Sequence, residues 1–184
     1  MKLKINFVTH NINKVKELKK ILEPGVFVSH INIEYPEIKA DTSEEVALNS
    51  AESISKNLNK TIVVEDSGLF IKGLNGFPGT CSAYVHKRIG LEGILKLMDG
   101  MKNRECVYKS AVAFCHPNQK PMVFSGEENG RISEIIKGKF GFGHDPIFIP
   151  EGSSKTYGEM EECIEIKKFR RMAVIKLKEY LYTK

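Results

Sequence analysis

The chain has 184 residues and a formal net charge of +5, with 41% hydrophobic and 28% charged residues. This length provides one substantial core without requiring two independent domains, and the composition is that of an ordinary globular protein. No apolar run approaches the ~20 residues of a membrane-spanning helix, and the N-terminal MKLKINFV lacks the long apolar region of a signal peptide, so we expect no membrane partner and a cytoplasmic location.

The positive charge is spread along the chain rather than gathered in one segment. A nucleic-acid polymer is therefore not an expected partner, whereas a phosphorylated small molecule requires only local positive charge. The four cysteines have no C-x-x-C spacing, which favours buried thiols over zinc ligands or a disulfide framework. They are Cys81, Cys106, Cys115 and Cys163.

The first predicted elements are a strand over residues 3–9 and a helix in which Val15, Leu18 and Leu22 share one face. Between them lies the hexad Thr9-His10-Asn11-Ile12-Asn13-Lys14, with Asn11 placed to cap the helix. The hexad collects a hydroxyl, an amide, free helix N–H groups and a lysine, a combination that suits an anion. It is not a Walker loop, and taken alone it is also compatible with an ordinary polar turn.

A second strand is predicted over residues 26–35, ending before Pro36-Glu37, which exposes the Glu37 carboxylate beside the sheet. The segment from Thr42 to Glu45 has the T-x-x-E pattern of a capping box. A helix follows, and its predicted buried face consists of Ala47, Ala51, Ile54 and Leu58.

The central stretch runs from Val63 to Tyr84. A β-branched run over residues 61–64 predicts a buried strand that ends at Glu65 and Asp66, after which Ser67-Gly68 turns the chain. Ligands of open α/β sheets bind at the carboxyl ends of strands, and paired carboxylates there commonly hold a hard divalent cation. A solvated turn is the alternative for the pair alone. Residues 76–79, GFPG, predict a rigid corner.

The second half of the chain contains a predicted helix marked by Leu91 to Met98 and two long strands over residues 105–115 and 122–135. Residues 137–145 form a glycine-punctuated aromatic loop before a strand over 146–149. Phe and His side chains on such a loop can stack on a planar base, and the alternative is that Phe140 and Phe142 fill the core.

The last segment, residues 167–182, is predicted to be an amphipathic helix with Phe169, Ala173, Leu177 and Tyr180 inward. Arg170 and Arg171 lie near its start, where a positive charge opposes the helix dipole. Binding an anion or a base edge would explain these arginines.

Several motifs together resemble the inosine triphosphate pyrophosphatase family. The family's T-G-N-x-x-K is similar to residues 9–14, its D-S-G and G-x-P-G to residues 66–68 and 76–79, and its F-G-[YW]-D-P to residues 142–146. Residues 156–160 match its T-x-x-E-M. The matches keep the family's order along the chain, which makes them far more specific together than any one alone.

The resemblance implies an α/β fold, two-lobed, with a long mixed central sheet flanked by helices in a single domain over residues 1–184. It implies Mg²⁺-dependent hydrolysis of non-canonical purine nucleoside triphosphates (ITP, dITP and XTP) to the monophosphate and pyrophosphate. Members of the family usually form homodimers.

The resemblance also implies roles for individual residues. The triphosphate would be held by Thr9, His10, Asn11, Ile12, Asn13 and Lys14. Glu37 and Asp66 would position Mg²⁺, with Glu65 close by. Asp66 and Lys14 would be the catalytic residues, with Asp66 as the base for the attacking water. Ser67 would contact the substrate. The purine would be framed by Phe142, Gly143, His144 and Asp145.

Departures from the family pattern concern both the phosphate turn and the residues that contact the nucleobase. His10 stands where the family has Gly, and His144 stands where it has Tyr or Trp. The family's S-H-R-x-x-A aligns with residues 168–173, where Arg170 is kept to read a 6-oxo group but Lys168-Phe169 replaces Ser-His, and Lys167 or Lys168 would replace the preceding lysine. The alternatives are altered base specificity or a nucleotide-binding module without catalysis.

Overall fold

The computed structural model of the protein describes residues 3–162 and 167–183. Within these residues the helices are α1 (Ile12–Leu22), α2 (Ser43–Leu58), α3 (Ser82–Leu97) and α4 (Lys168–Tyr182). The strands are β1 (Leu3–Val8), β2 (Val26–Ile31), β3 (Ile62–Ile71), β4 (Pro78–Gly79), β5 (Glu105–Cys115), β6 (Met122–Ile132) and β7 (Phe148–Pro150). Short 3-10 helices span Lys72–Leu74, Asp145–Ile147 and Tyr157–Glu159.

The seven strands form one mixed sheet in the order β2-β1-β3-β5-β6-β7, with β4 paired to β3. The pairs β1–β2 and β1–β3 are parallel, whereas β3–β4 and β6–β7 are antiparallel. The predicted α/β class with a mixed sheet is confirmed. The chain divides into two compact units: unit 1 comprises residues 1–66, 110–126 and 169–184, and unit 2 comprises residues 67–109 and 127–168.

Unit 1 has a hydrophobic cluster on each face of its strands, because successive side chains of a strand point to opposite faces. Phe7 and Val63 join one cluster with α1 and α4, and Val8 and Val64 join the other with α2. The predicted inward residues of α1 are buried, as are Ala47, Ala51 and Ile54 of α2 and Phe169, Ala173 and Leu177 of α4. Unit 1 therefore follows the hydrophobic periodicity of the sequence.

Unit 2 is built around buried aromatic rings and a tight corner. Phe148 lies 4.5 Å from Tyr108 and 5.4 Å from Tyr157, measured between ring centroids. At the corner, a Cβ on Gly68 would lie 2.1 Å from the carbonyl oxygen of Gly79, so only glycine permits this approach of β3 and β4.

Several predicted boundaries are wrong. β3 does not end before Glu65 and Asp66 but continues through them to Ile71. In the sheet it lies between β1 and β5, and β4 pairs with Leu69 and Phe70 after the pairing with β1 has ended at Val64. β2 ends at Ile31 and β6 at Ile132, earlier than predicted. α3 begins at Ser82, well before the predicted Leu91, and it contains a non-helical Gly90. A 3-10 helix over Asp145–Ile147 delays β7 to Phe148.

The cysteine prediction holds in part. Cys106 and Cys115 are buried free thiols, whereas Cys81 is free but exposed, and Cys163 lies outside the described residues. Among the described residues, none of the helices has the length and apolar character needed to cross a bilayer.

Candidate active site

The start of α1 is organised by its own sequence. The Asn11 side-chain oxygen accepts hydrogen bonds from the backbone N–H groups of Asn13 (2.9 Å) and Lys14 (3.4 Å), which confirms Asn11 as the N-cap. The Thr9 hydroxyl oxygen accepts a hydrogen bond from the Asn11 N–H at 3.1 Å. These bonds fix the turn that carries Lys14 from β1 into α1.

The other members of the hexad differ in exposure. His10 is exposed, its Nδ1 lies 2.7 Å from the side-chain oxygen of Asn32, and its ring stacks on Tyr35. Ile12 is exposed and Asn13 is half-buried. The predicted phosphate contacts of these residues stay predictions.

Lys14 reaches from α1 to β3. Its ammonium lies 2.7 Å from Oε2 of Glu65 and donates a hydrogen bond to the Glu65 carbonyl oxygen at 3.1 Å. The lysine is thereby held next to Asp66, the following residue of β3.

Glu65 is a buried carboxylate held by positive charge. Its Oε1 accepts hydrogen bonds from the Ser110 hydroxyl at 2.6 Å and from Nε of Arg170 at 2.9 Å. Burial alone would raise the pKa of Glu65, but Arg170 and then Lys14 outweigh burial and lower it to about 2. Glu65 is therefore ionised at neutral pH, and its predicted place near the metal stays a prediction.

Arg170 joins two buried acids of unit 1. Its side chain is 3% exposed, and its guanidinium pairs with Glu17 of α1 as well as with Glu65. These pairs account for a positive charge near the start of α4, the feature that the sequence left unexplained. The predicted contact of Arg170 with a base edge is not tested by this arrangement and stays a prediction.

Asp66 has a different environment from its neighbour Glu65. Its Oδ2 is buried and accepts no hydrogen bond of ordinary geometry from residues 3–162 and 167–183, although the Ser43 hydroxyl is close enough to lower the pKa of this carboxyl. Burial raises the pKa of Asp66 to about 6, with further increases from Glu65 and Glu37 and opposing contributions from Lys14 and Ser43. Asp66 is thus a carboxylate that titrates near neutral pH, a property of many general bases.

Glu37 is exposed and belongs to the same neighbourhood of unit 1. The Tyr35 hydroxyl donates a hydrogen bond to Glu37, and burial followed by the charge of Glu37 raises the pKa of Tyr35. Asp66 also contributes to that increase. Lys14 and Glu37 therefore both lie within electrostatic range of Asp66, and the roles that the motifs assign to them stay predictions.

The acidic residues provide a partial donor set for a divalent cation. No three His, Cys, Asp or Glu side chains in the described part of the chain lie close enough to hold a metal by themselves. Mg²⁺ typically binds to proteins through one or two carboxylates, together with substrate phosphates and water. The unpartnered Oδ2 of Asp66, with Glu37 nearby, fits that mode of binding.

Residues 142–145 form a fixed loop in unit 2. Oδ2 of Asp145 accepts a hydrogen bond from the Phe142 N–H at 2.6 Å and lies 2.7 Å from the ammonium of Lys167. A Cβ on Gly141 would lie 2.1 Å from the same carboxylate oxygen, and the φ of Gly141 is 74°, so glycine is required there. Phe142 is half-buried rather than part of the core.

His144 and Gly143 complete this loop. His144 is 3% exposed, and within the described residues its Nε2 has no hydrogen-bond partner. Burial, followed by the nearby His86, lowers the pKa of His144 to about 4, so the ring is neutral at neutral pH. Gly143 has a φ of 63°, and Ser67, the remaining predicted contact of unit 2, is half-buried in β3.

Lys167 rather than Lys168 reaches this loop. Lys167 is buried and its ammonium lies 4.2 Å from the centroid of the Phe142 ring, whereas Lys168 is exposed. The sequence identified both lysines but not which one turns inward. Glu17 and Tyr35 were not identified at all, since a Glu beside the apolar face of α1 and a Tyr after β2 carry no motif of their own.

A mixed β-sheet with helices, and a capped helix start whose lysine lies beside acidic side chains of an adjoining strand, define an α/β protein with an arrangement that suits an anion. The chain belongs to the Ham1 family, whose model matches residues 5–180. It is 47% identical over 165 residues to a dITP/XTP pyrophosphatase of Methanopyrus kandleri, covering 88% of each chain.

A second relative and a solved structure agree with this assignment. The chain is 46% identical over 159 residues to a dITP/XTP pyrophosphatase of Thermococcus kodakarensis, covering 86% of this chain and 85% of that one. The Ham1 protein of Staphylococcus aureus has the same fold, with a TM-score of 0.84 and 30% identity over 98% of each chain. The resemblance noted in the sequence motifs is confirmed.

Proposed function

We propose that this protein hydrolyses the non-canonical purine nucleoside triphosphates dITP, XTP and ITP to the monophosphate and pyrophosphate. The observation that carries the proposal is that Lys14, paired with Glu65, and Glu37 both lie near Asp66, in a chain 47% identical to a dITP/XTP pyrophosphatase. Such activity would remove damaged nucleotides from the pool.

The triphosphate is bound by the start of α1 in this proposal. Lys14 supplies a positive charge, and the N–H groups of the first turn supply partial positive charge. Phosphoryl transfer depends mainly on positioning and on neutralising charge on the phosphate oxygens, both of which this arrangement offers.

Asp66 accepts the proton of the attacking water. Water adds to the α phosphorus, the bond from that phosphorus to the oxygen bridging to the β phosphate breaks, and pyrophosphate leaves. The Asp66 carboxyl, whose pKa is about 6 in the metal-free protein, is mostly ionised at pH 7 and can therefore accept this proton.

Glu37 and Asp66 would hold Mg²⁺, which when bound neutralises negative charge on the phosphate oxygens. The support for this assignment is the buried, unpartnered Oδ2 of Asp66, whose ionisation a cation would favour.

The purine is framed by residues 142–145 of unit 2. The buried Nε2 of His144 has no partner in the described residues, and a buried polar atom normally has one. A hydrogen bond from the base would supply it.

A second candidate is the same hydrolysis with a different base preference. It is favoured by Lys168-Phe169, which stands where the family has Ser-His, and in the structure Phe169 is 2% exposed. A homodimer is a further expectation, which the family resemblance implies. Light scattering after size exclusion measures it.

A pyrophosphate-release assay tests the function. The purified protein is incubated with dITP, XTP, ITP, GTP or ATP plus Mg²⁺, and we expect pyrophosphate from the first three at rates well above those for GTP and ATP. Equal rates on all five would refute the base selectivity, and a rate that peaks on GTP or ATP would select the second candidate. Orthophosphate as the only product would refute the bond assignment. Asp66→Asn should abolish turnover, whereas Asp99→Asn, a change at an exposed acid, should not.

A further inference from the structure

Glu128 of β6 is a buried carboxylate that the proposed mechanism does not use. It is 6% exposed, its Oε1 accepts a hydrogen bond from the Tyr157 hydroxyl at 2.5 Å, and its Oε2 accepts one from the backbone N–H of Lys168 at 2.8 Å. A buried carboxylate is costly unless such partners are present. Both oxygens therefore have a defined donor.

The bond to Lys168 is made at the first residue of α4. The first N–H groups of a helix have no partner within the helix, and a negative charge near them is favourable. Glu128, a residue of strand β6, thus caps the start of α4 and fixes the backbone at Lys168, where the helix begins.

The residue before this point is Lys167. Its ammonium lies 2.7 Å from Asp145 and 4.2 Å from the centroid of the Phe142 ring, and its side chain is 2% exposed. Asp145 in turn accepts the hydrogen bond from the Phe142 N–H. A backbone shift of about 1 Å at Lys167 would break hydrogen-bond geometry along this series of contacts.

Tyr157 keeps the carboxylate of Glu128 in place. The tyrosine is 1% exposed, and its ring stacks on Phe148 with an interplanar angle of 27°. Burial, then Glu128, raises the pKa of Tyr157, so the hydroxyl stays protonated and continues to donate at neutral pH.

We propose that Glu128, oriented by Tyr157, is a positioning residue that sets Lys167 and, through Asp145, the loop over residues 142–145 for binding the purine. All of these residues lie in unit 2. The inference rests on the proposed function, because that function assigns the loop to the base.

The test separates binding of the base from binding of the phosphates. KM and kcat for dITP are measured together with the inhibition constant of inorganic triphosphate, a probe that has no base. Glu128→Leu removes both acceptors, and we expect KM for dITP to rise about 10-fold or more, with kcat within about 3-fold and the inhibition constant unchanged. Glu128→Gln retains a side-chain acceptor and a donor and should restore KM to within about 3-fold of wild type.

The matched control is Glu127→Leu on the same strand, where the glutamate is exposed and pairs with Lys109 at 2.9 Å. Its KM should equal that of the wild type. A folded Glu128→Leu variant with unchanged KM, or with KM and the inhibition constant raised equally, would overturn the proposal.

If Glu128→Leu does not fold, the same kinetic measurements on Tyr157→Phe test the proposal. We expect a rise in KM of about 3-fold or more with the inhibition constant unchanged, and an unaltered KM would overturn the proposal. A wild-type protein that releases no pyrophosphate from any purine triphosphate would instead refute the proposed function, and this inference with it.

Discussion

Replacing Arg170 with Met tests how much stability the buried ion pairs of unit 1 provide. The substitution keeps most of the side-chain volume but leaves Glu17 without the guanidinium and leaves Glu65 with Lys14 as its cationic partner. Removing one partner of a buried pair strands an uncompensated charge, which costs about 3 to 5 kcal/mol in other proteins.

The pKa of Glu65 gives an independent magnitude. It lies at about 2 against an ordinary 4.5, a difference that corresponds to about 3 kcal/mol of native-state stability at neutral pH. Because the folded pKa is the lower one, this stability is present above pH 4.5 and is lost as the pH falls toward 2. Without Arg170, burial raises the pKa of Glu65, so the carboxyl is protonated in mild acid. The variant should therefore lose less stability at mildly acidic pH than at neutral pH.

Urea unfolding at pH 7 and pH 5, followed by circular dichroism, measures the effect. We expect Arg170→Met to lose about 3 kcal/mol or more of unfolding free energy at pH 7 and about 1 kcal/mol less than that at pH 5. Glu179→Met, at an exposed position on the same helix, is the control and should change the free energy by less than about 0.5 kcal/mol. A loss below about 1 kcal/mol at pH 7, or an equal loss at both pH values, would refute this reasoning.

Three further predictions concern the site and its supporting corner. Asp66→Asn should stabilise the metal-free protein by about 1 to 2 kcal/mol at pH 7 in urea unfolding, because it removes a buried negative charge. Since the pKa of Asp66 is raised from 3.8 to about 6 in the folded protein, this gain in stability should vanish near pH 4. A gain that does not depend on pH would contradict the prediction. Lys14→Met should lower kcat/KM for dITP by about 100-fold or more while the protein stays folded, and near-wild-type turnover would contradict its role. Gly68→Ala should lower the thermal midpoint by several degrees, since a Cβ would lie 2.1 Å from the carbonyl oxygen of Gly79, and an unchanged midpoint would contradict the contact.

Local signals in the sequence predict much of unit 1. Asn11 and Thr42 are helix caps in the structure, as their positions before periodic apolar residues predict. These features depend on residues within one helical turn, so no knowledge of the tertiary fold is needed to find them.

Features that depend on distant parts of the chain could not be predicted. Asp66, Ser67 and Gly68 are turn-favouring residues, yet they continue β3, which has the sequence-distant β5 as a neighbour in the sheet and pairs with β4 just beyond them at Leu69 and Phe70. The Arg170–Glu17 pair joins residues 153 positions apart, and no local pattern indicates it. Family motifs recover the position of Asp66 but say nothing about the buried pairs that surround it.

Glu65 and Asp66 are consecutive, yet β3 directs the first toward α1 and α4 and the second toward Ser43 at the start of α2. The carboxyl groups of these two neighbouring residues therefore differ in proton affinity by about ten-thousand-fold. A one-residue insertion or deletion upstream within β3 would move each side chain to the opposite face of the sheet, so that Asp66 would point toward the buried ion pairs of α1 and α4. Length variation among homologous chains should therefore fall in the connections on either side of this strand and not within its 10 residues.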